Sequence, residues 1–213
     1  MEKKRVSELQ LVLTLCFVVC MLVSNIITAK QVQFPFGITM TGAIFIFPIT
    51  YILSDVFSEC YGYRWSRLTC YMAFAANLFM ALVFMFVIRT PAPSYWTNQE
   101  AFQTVLGNTP RVLVGSFLGF LLGDLANDRV FRRMKAAHEN ELKGFGARAI
   151  LSSLVGEVVD SAFFFPIAFW GQMPAETLLT MGLVQVALKV GYEVVILPVT
   201  TQVAKSVNAY EGN

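Results

Sequence analysis

Long apolar blocks alternate with short polar segments along most of the 213-residue chain. Each block has about 18 or more mostly apolar residues, which is the length that a helix needs to cross a hydrocarbon core of about 30 Å. The blocks predict six membrane spans, over residues 9–29, 37–59, 68–88, 111–128, 149–170 and 177–204. We therefore expect an all-α, polytopic membrane protein with six transmembrane helices, forming a single domain over residues 1–213.

Two of the predicted spans contain a similar aromatic segment built around a proline. Residues 43–51 read AIFIFPITY and residues 162–170 read AFFFPIAFW. The two spans would cross in opposite directions, so the likeness predicts an inverted repeat of three plus three helices. Chance similarity between aromatic membrane helices is the open alternative. Because proline removes a backbone donor inside a helix, Pro48 and Pro166 are predicted kinks, either beside a binding site or as simple packing features.

Composition agrees with a membrane protein, and the distribution of positive charge orients the chain. Hydrophobic residues make up 56% of the positions and charged residues 14%. With the N-terminus in the cytoplasm, the inner segments carry twelve Lys and Arg residues, whereas the outer segments carry only Lys30, Arg89 and Arg111. This asymmetry predicts that both termini are cytoplasmic. Since the basic residues follow topology, they indicate contact with the lipid bilayer and no nucleic-acid partner.

Four charged residues interrupt the last two apolar blocks: Glu157 and Asp160 in one, Lys189 and Glu193 in the other. A charge at the centre of a membrane helix costs roughly 2.5–3.5 kcal/mol on the insertion scale, so an offsetting interaction is needed. The members of each pair lie three or four residues apart and share one helix face. Fully ionised, the group would carry a net charge of −2. We therefore expect a carboxyl to be protonated or neutralised by a solute.

These charges predict a solute-binding site, in which Glu157 and Glu193 are candidate proton carriers. A structural Asp160–Lys189 pair that only fixes the helix register is the alternative. Asn77 is instead predicted to make a hydrogen bond between packed helices. Other polar side chains within the spans are candidates for the same solute site: Asn25, Asp55 and Asp124.

Enzyme classes find little support in the residues. The single histidine, His138, lies in a predicted cytoplasmic loop, so no His-based metal or Ser/His site is expected within the membrane. Asp124 and Asp160 could form an intramembrane protease pair, but Leu122-Gly123-Asp124 lacks the Gly-x-Gly-Asp turn of such enzymes. The chain also has no phosphate-cradling glycine-rich loop. We therefore expect no enzyme activity, no cofactor and no metal.

Several short segments on the predicted spans form a combined pattern. They are Ser24-Asn25, Gly42-Ala43 to Pro48, Ser54-Asp55-Val56 through Tyr61-Gly62, Val159-Asp160-Ser161, Ile167-Ala168-Phe169-Trp170, and Leu188-Lys189-Val190 to Pro198. Together they resemble the bacterial queuosine precursor transporters, also called the vitamin-uptake-transporter-like family, over nearly the whole chain. One departure is that Asp124 and Asn127 stand where the family pattern has Gln followed three residues later by Asp.

The resemblance implies a six-helix inner-membrane protein that imports 7-deazaguanines for tRNA modification. The expected solutes are 7-cyano-7-deazaguanine, 7-aminomethyl-7-deazaguanine or the free base queuine. Glu157 or Asp160 can accept the ring N–H and amino group of such a base, while Lys189 or Asn25 can donate to its carbonyl. Aromatic rings are expected to stack on its faces. The candidates are Phe45, Phe163, Phe164, Phe169 and Trp170.

Three questions stay open at the level of sequence. Transport can be coupled to the proton gradient or can be facilitative, with trapping by downstream modification. A substrate-binding subunit that borrows an ATPase module for vitamin import is an alternative function, and a structural or sensory membrane protein is another, which the buried charges disfavour. A homodimer is among the open oligomeric states.

Overall fold

The computed structural model of the chain describes residues 6–137 and 145–211. His138 lies outside these ranges, and the side chains of Asp128 and Glu193 lie outside what is described. The chain forms two compact units. Unit 1 comprises Met1–Lys30, Thr41–Thr109 and Val195–Asn213, and unit 2 comprises Gln31–Met40 and Pro110–Val194. That residues 1–213 act as a single domain stays a prediction.

Unit 1 is built mainly from α-helices that follow one another closely in sequence. Its elements are α1 (Glu8–Ile27), a 3₁₀ turn (Gly42–Phe45), α2 (Phe47–Val56), a π-helical turn (Phe57–Tyr61), α3 (Tyr63–Arg89) and α4 (Gln99–Leu106). Ser7 begins α1 through a capping box, because its hydroxyl accepts from the Gln10 amide while its own amide donates to the Gln10 side chain. Gly62, at a φ of 83°, makes the turn between the π-helical segment and α3.

Unit 2 contains the helical segments that carry the predicted charges. Its helices are α5 (Thr109–Ala137), α6 (Phe145–Phe169) and the first part of α7 (Ala175–Glu211), of which residues 195–211 belong to unit 1. Two three-residue strands, β1 (Gln31–Gln33) and β2 (Thr39–Thr41), pair across a turn in which Phe36 and Gly37 have positive φ. This short strand pair is a small departure from the predicted all-α fold.

Four helices among the described residues are long and apolar enough to cross a membrane. They are Glu8–Ile27, Arg64–Arg89, Gln99–Asn127 and Leu151–Phe169. The third range contains α4 and most of α5. Large apolar side chains such as Leu11, Phe79 and Phe86 are exposed on the first two, as expected for helices that face lipid rather than water. Apolar helices of this kind identify a membrane protein. Six spans stay a prediction.

The expected second span, over residues 37–59, does not form one continuous helix. It contains β2, the 3₁₀ turn, the ten-residue α2 and most of the π-helical turn. The prediction of a single helix over residues 37–59 is therefore wrong, because these residues form several short elements. Pro48 lies in the first turn of α2, where its missing amide has no intrahelical partner to lose, so it starts a helix instead of kinking one.

Pro166 lies inside α6, as the sequence predicts, and Gly171, at a φ of 82°, follows the end of that helix. The two similar segments thus differ in local structure, because residues 43–51 run into the start of α2 whereas residues 162–170 close α6. Local structure gives the inverted repeat no support. The repeat stays a prediction.

The core of unit 1 lies where α1, α2, α3 and the π-helical turn meet. Phe17, Leu53, Phe57 and Ala73 are buried together there, and the rings of Phe17 and Phe57 meet edge to face at 6.0 Å between centroids. Partly buried side chains surround this core: Leu13, Val18, Met21, Tyr61 and Trp65.

The end of α7 is tied to other elements of unit 1 by one carboxylate. The Ser7 hydroxyl donates to Glu211 Oε1 at 2.5 Å, and the Tyr61 hydroxyl donates to the same oxygen at 2.8 Å. Burial and the hydrogen bond to Glu211 raise the pKa of Tyr61 to about 12. We call these three residues the Glu211 clamp. It connects the start of α1, the π-helical turn and the last residue of α7.

Candidate functional site

Three of the four charged residues predicted from the sequence meet between α6 and α7 in unit 2. Lys189 Nζ lies 2.5 Å from Asp160 Oδ2 and 2.5 Å from Glu157 Oε2. The side chains of Lys189, Asp160 and Glu157 are 13%, 19% and 26% exposed. Because Glu157 and Asp160 are three residues apart, both point from one face of α6 towards the same ammonium. We call these three residues the ionic cluster.

The ionic cluster lies within an apolar helix, where a charge costs free energy and therefore indicates a functional role. Asp160 is the central residue of the apolar stretch Leu151–Phe169, where a charge opposes insertion by roughly 2.5–3.5 kcal/mol. One ammonium between two carboxylates leaves a net charge of −1 when all three groups are ionised. In a medium that solvates charge poorly, that excess favours a bound proton or a hydrogen-bond donor from a solute.

Glycines on α5 let that helix approach α6 closely at the ionic cluster. A Cβ added at Gly119 would overlap the Asp160 carboxylate and lie 2.9 Å from the Asp160 carbonyl oxygen. One added at Gly123 would lie 2.8 Å from the Gly156 carbonyl oxygen, and one at Gly115 would lie 3.1 Å from that of Phe164. Sequence reasoning missed this row, although small residues at every fourth position are a recognisable signal for close packing of membrane helices.

Asp124 lies beside the same contact. It follows Gly123, which packs against Gly156, and is therefore near the level at which α6 carries the ionic cluster. Its side chain is partly buried. Asn127 lies one turn further along α5 and packs against Gly156, since a Cβ added to that glycine would lie 3.0 Å from Asn127 Cβ. Asp124 as a substrate-binding residue stays a prediction.

Three phenylalanines pack together about one to two and a half turns beyond Asp160 on α6. The Phe164 ring lies edge to face with the rings of Phe165 and Phe169, at centroid distances of 5.1 Å and 5.9 Å, and Phe165 lies 6.1 Å from Phe169. All three are buried. Phe164 and Phe169 were predicted to stack on a base and Phe165 was not, although the three form one aromatic wall. Its contact with a base stays a prediction.

Arg111 caps the C-terminus of α6 through two side-chain hydrogen bonds. Its Nε donates to the Ile167 carbonyl oxygen at 2.9 Å and its Nη2 donates to that of Trp170 at 3.0 Å. A guanidinium at these carbonyls satisfies groups that lack helical partners and suits the negative end of the helix dipole. Trp170 is 66% exposed, and Phe163 is also exposed. Stacking by either ring stays a prediction.

The remaining predicted site residues belong to unit 1. Asn25 is buried, and its Nδ2 donates to Asn77 Oδ1 at 2.5 Å, while Asn77 Nδ2 donates to the Ala73 carbonyl oxygen at 2.9 Å. This geometry agrees with the predicted packing role of Asn77 and extends that role to Asn25. Phe45 is 62% exposed and Asp55 is exposed near the end of α2. The substrate contacts of all three candidates stay predictions.

Within residues 6–137 and 145–211, no group of three His, Cys, Asp or Glu side chains is arranged to hold a metal ion. The ionic cluster supplies two carboxylates, and an ammonium already lies between them.

Comparison with known proteins connects this arrangement with a family. Residues 41–203 match the family described as "Putative vitamin uptake transporter", a stretch that includes the ionic cluster, the glycine row and the aromatic wall. The chain belongs to this family. The resemblance inferred from the sequence is thereby confirmed, and the family description indicates a transporter.

A curated relative agrees with the family. The chain is 25% identical over 179 residues to the "Probable queuosine precursor transporter" of Bacillus subtilis (strain 168), which covers 82% of this chain and 76% of the relative. No solved structure matches the chain. The family and the relative together support a transporter role for this family member.

Proposed function

We propose that the protein imports queuosine precursors of the 7-deazaguanine class across the bacterial inner membrane. The observation that carries this proposal is the ionic cluster at the centre of an apolar helix. A membrane protein that keeps such a cluster needs a binding partner for it, because the excess negative charge is otherwise costly. The name of the Bacillus subtilis relative supplies the substrate class.

The ionic cluster suits the polar edge of a guanine-like base. That edge presents a ring N–H and an amino group side by side, which one carboxylate accepts as a pair of hydrogen bonds. Glu157 is the better acceptor, because it is the more exposed carboxylate whereas Asp160 is packed against Gly119. Lys189 contacts both carboxylates and is a candidate donor to the carbonyl of the base. The aromatic wall gives its ring an apolar neighbour.

Coupling to protons is the mode of transport that the charge of the cluster favours. If one carboxyl holds a proton while another accepts the N–H groups of the base, proton and base bind to the same state of the site, so an inward proton gradient drives import. Glu193 was predicted as a second carrier, and its side chain lies outside what is described. We also propose that both termini are cytoplasmic and that solute enters from the outer face.

The decisive test is uptake of labelled 7-cyano- or 7-aminomethyl-7-deazaguanine by cells that lack their own transporter. We expect expression of the chain to restore uptake and an uncoupler to abolish accumulation. Exposed Lys205, also on α7, offers a matched control: Lys205→Met should transport normally, whereas Lys189→Met should not. Absence of uptake despite membrane expression would overturn the proposal. Uncoupler-insensitive entry into reconstituted vesicles that stops at equal concentrations inside and outside would instead favour facilitated transport.

Base discrimination tests the hydrogen-bonding scheme separately. An adenine edge places an acceptor at the ring nitrogen and would leave the buried carboxylate without one of its donors. Such a loss costs about 1–3 kcal/mol, so guanine should compete with the substrate about tenfold to a hundredfold better than adenine. Equal competition by adenine would remove the carboxylate–edge scheme while leaving transport itself intact.

A further inference from the structure

Ser161 has a buried hydroxyl that the structure leaves without a protein partner. The residue is 5% exposed, and within the described part of the chain nothing forms a hydrogen bond with its Oγ. Helical hydroxyls elsewhere bond back to the carbonyl four residues earlier, as those of Thr28 and Thr180 do at 2.7 Å and 2.9 Å. An unsatisfied buried hydroxyl in a native fold calls for an explanation.

Location separates Ser161 from the other buried polar atoms without a partner. The side chains of Trp65, Thr69 and Thr200 have such atoms, but all three residues belong to unit 1. In unit 2, Glu157 Oε2 contacts the Lys189 ammonium, whereas among the described residues Ser161 Oγ contacts no such group. Ser161 follows Asp160 directly and lies one helical turn after Glu157, on the face of α6 that carries the ionic cluster. An unpartnered hydroxyl thus adjoins the site already described.

The contacts between α6 and α7 place Gln185 at the same level as Ser161. Towards one end, Glu157 on α6 meets Lys189 on α7; towards the other, Phe165 meets Gly182, where an added Cβ would lie 3.6 Å from the phenylalanine ring. Ser161 is midway between its two contacts on α6. Gln185 lies three residues after Gly182 and four before Lys189, on the same face of α7, and is 5% exposed.

The spacing of these levels fits a bicyclic base. One helical turn advances about 5.4 Å, which is close to the width of a purine-like ring system. When the N–H edge of a 7-deazaguanine meets Glu157, the next groups along the ring are the carbonyl and then the substituent at position 7. A base held in this way therefore extends from the ionic cluster towards Ser161 and Gln185.

Resting on the proposed function, we propose that Ser161 and Gln185 are specificity-determining residues that read the ring carbonyl and the 7-substituent. The Ser161 hydroxyl donates to the carbonyl and so gains the partner that it lacks. The carboxamide of Gln185 has both a donor and an acceptor. Its Nε2 donates to the nitrile nitrogen of the 7-cyano base, and after rotation its Oε1 accepts from the ammonium of the 7-aminomethyl base. One residue thus accommodates both precursors.

Gln185→Glu is the discriminating variant, because a carboxylate accepts hydrogen bonds and donates none. With purified protein in detergent, the affinities of 7-cyano- and 7-aminomethyl-7-deazaguanine are measured by ligand-induced thermal shift. We expect the ratio of affinities to change by at least about tenfold in favour of the aminomethyl base. Equal changes for both ligands would overturn the assignment of Gln185.

Gln185→Met covers the case in which the buried carboxylate prevents folding. It should weaken binding of both substituted bases about tenfold more than binding of unsubstituted 7-deazaguanine, and a uniform loss would contradict the proposal.

Ser161→Ala tests the other residue against Ser152→Ala as a matched control. Ser152 is equally buried on α6 but already has an interaction within the protein. We expect Ser161→Ala to leave the melting temperature of the empty protein unchanged or raised, and to weaken binding of all three bases about tenfold. Ser152→Ala should lower the melting temperature instead. Unaltered binding by Ser161→Ala would overturn its assignment. If the wild-type protein shows no shift with any of the bases, the proposed function fails, and this inference fails with it.

Discussion

In unit 1 two neutral amides, Asn25 and Asn77, meet between apolar helices, whereas in unit 2 one ammonium meets two carboxylates. The amide pair carries no charge and ends at a backbone carbonyl, that of Ala73, so it needs nothing from outside the protein. The ionic cluster carries an excess negative charge that a proton or a solute has to balance. This difference shows that buried polar groups indicate a binding site when the neighbouring residues do not fully balance their charge or satisfy their hydrogen bonds.

The largest expected effect comes from removing the ammonium of the ionic cluster. Lys189→Met leaves Glu157 and Asp160 facing each other without a positive partner, a change that costs about 3–5 kcal/mol in buried pairs. We expect uptake to be lost and the melting temperature to fall. Asp160→Asn should also abolish uptake, yet the double variant Asp160→Asn/Lys189→Met should insert no worse than either single one. Near-normal transport by both single variants would show that the two units do not differ in the way described.

A smaller loss is expected where α5 packs on the ionic cluster. Gly119→Ala places a methyl group against the Asp160 carboxylate and backbone, so the helices have to separate, at a cost of about 1–3 kcal/mol. Uptake should fall more than tenfold, because the Asp160 carboxylate is displaced from its position in the ionic cluster. Gly191→Ala is the control, because an added Cβ there meets nothing within 4 Å and alanine favours helix by about 0.5–1 kcal/mol. Equal uptake by the two variants would contradict the importance of the close approach.

A test on unit 1 decides whether its amide pair is only structural. Asn25→Ala and Asn77→Ala should each lower stability by about 0.6–2 kcal/mol, and the double variant should cost little more, because both lose the same hydrogen bond. Uptake for each folded molecule should stay within about twofold of wild type. If Asn25→Ala abolishes uptake while Asn77→Ala does not, Asn25 has the substrate contact that the sequence suggested. The contrast between the units would then be wrong.

The same contrast shows what could be predicted from sequence. The ionic cluster was predictable, since charges three and four residues apart in apolar blocks have few ways to be satisfied other than by meeting one another. Four of the apolar blocks correspond to helices long enough to span a membrane. The failure over residues 37–59 has a physical cause: hydropathy counts apolar side chains but does not register Phe36 and Gly37 at positive φ or Pro48 at a helix start.

Other features depend on tertiary contacts that no local pattern contains. The glycine row on α5 has a recognisable spacing, but the spacing does not say that Asp160 is its neighbour. Nor does the sequence separate Ser161, whose hydroxyl finds no partner, from Thr28, whose hydroxyl bonds back to Ser24. Whether a side chain finds a hydrogen-bond partner depends on its rotamer and on the facing helix, so it can be determined only from the three-dimensional structure.

The smallest expected effect concerns the Glu211 clamp, a carboxylate of unit 1 that already has two hydroxyl donors. Because the folded pKa of Tyr61, about 12, is above the ordinary value of about 10, the clamp stabilises the fold fully below pH 10 and loses that contribution as the pH rises through 12. Tyr61→Phe removes the hydroxyl and should lower stability by under about 1.5 kcal/mol at neutral pH, with transport retained. Thermal unfolding of both proteins from pH 7 to pH 11 checks the sign: the difference should be constant up to about pH 10 and shrink above it. A difference that grows with pH would mean that the hydroxyl is not held by Glu211. The contrast between a carboxylate with two hydroxyl donors in unit 1 and two carboxylates that share one ammonium in unit 2 would then lose its reference.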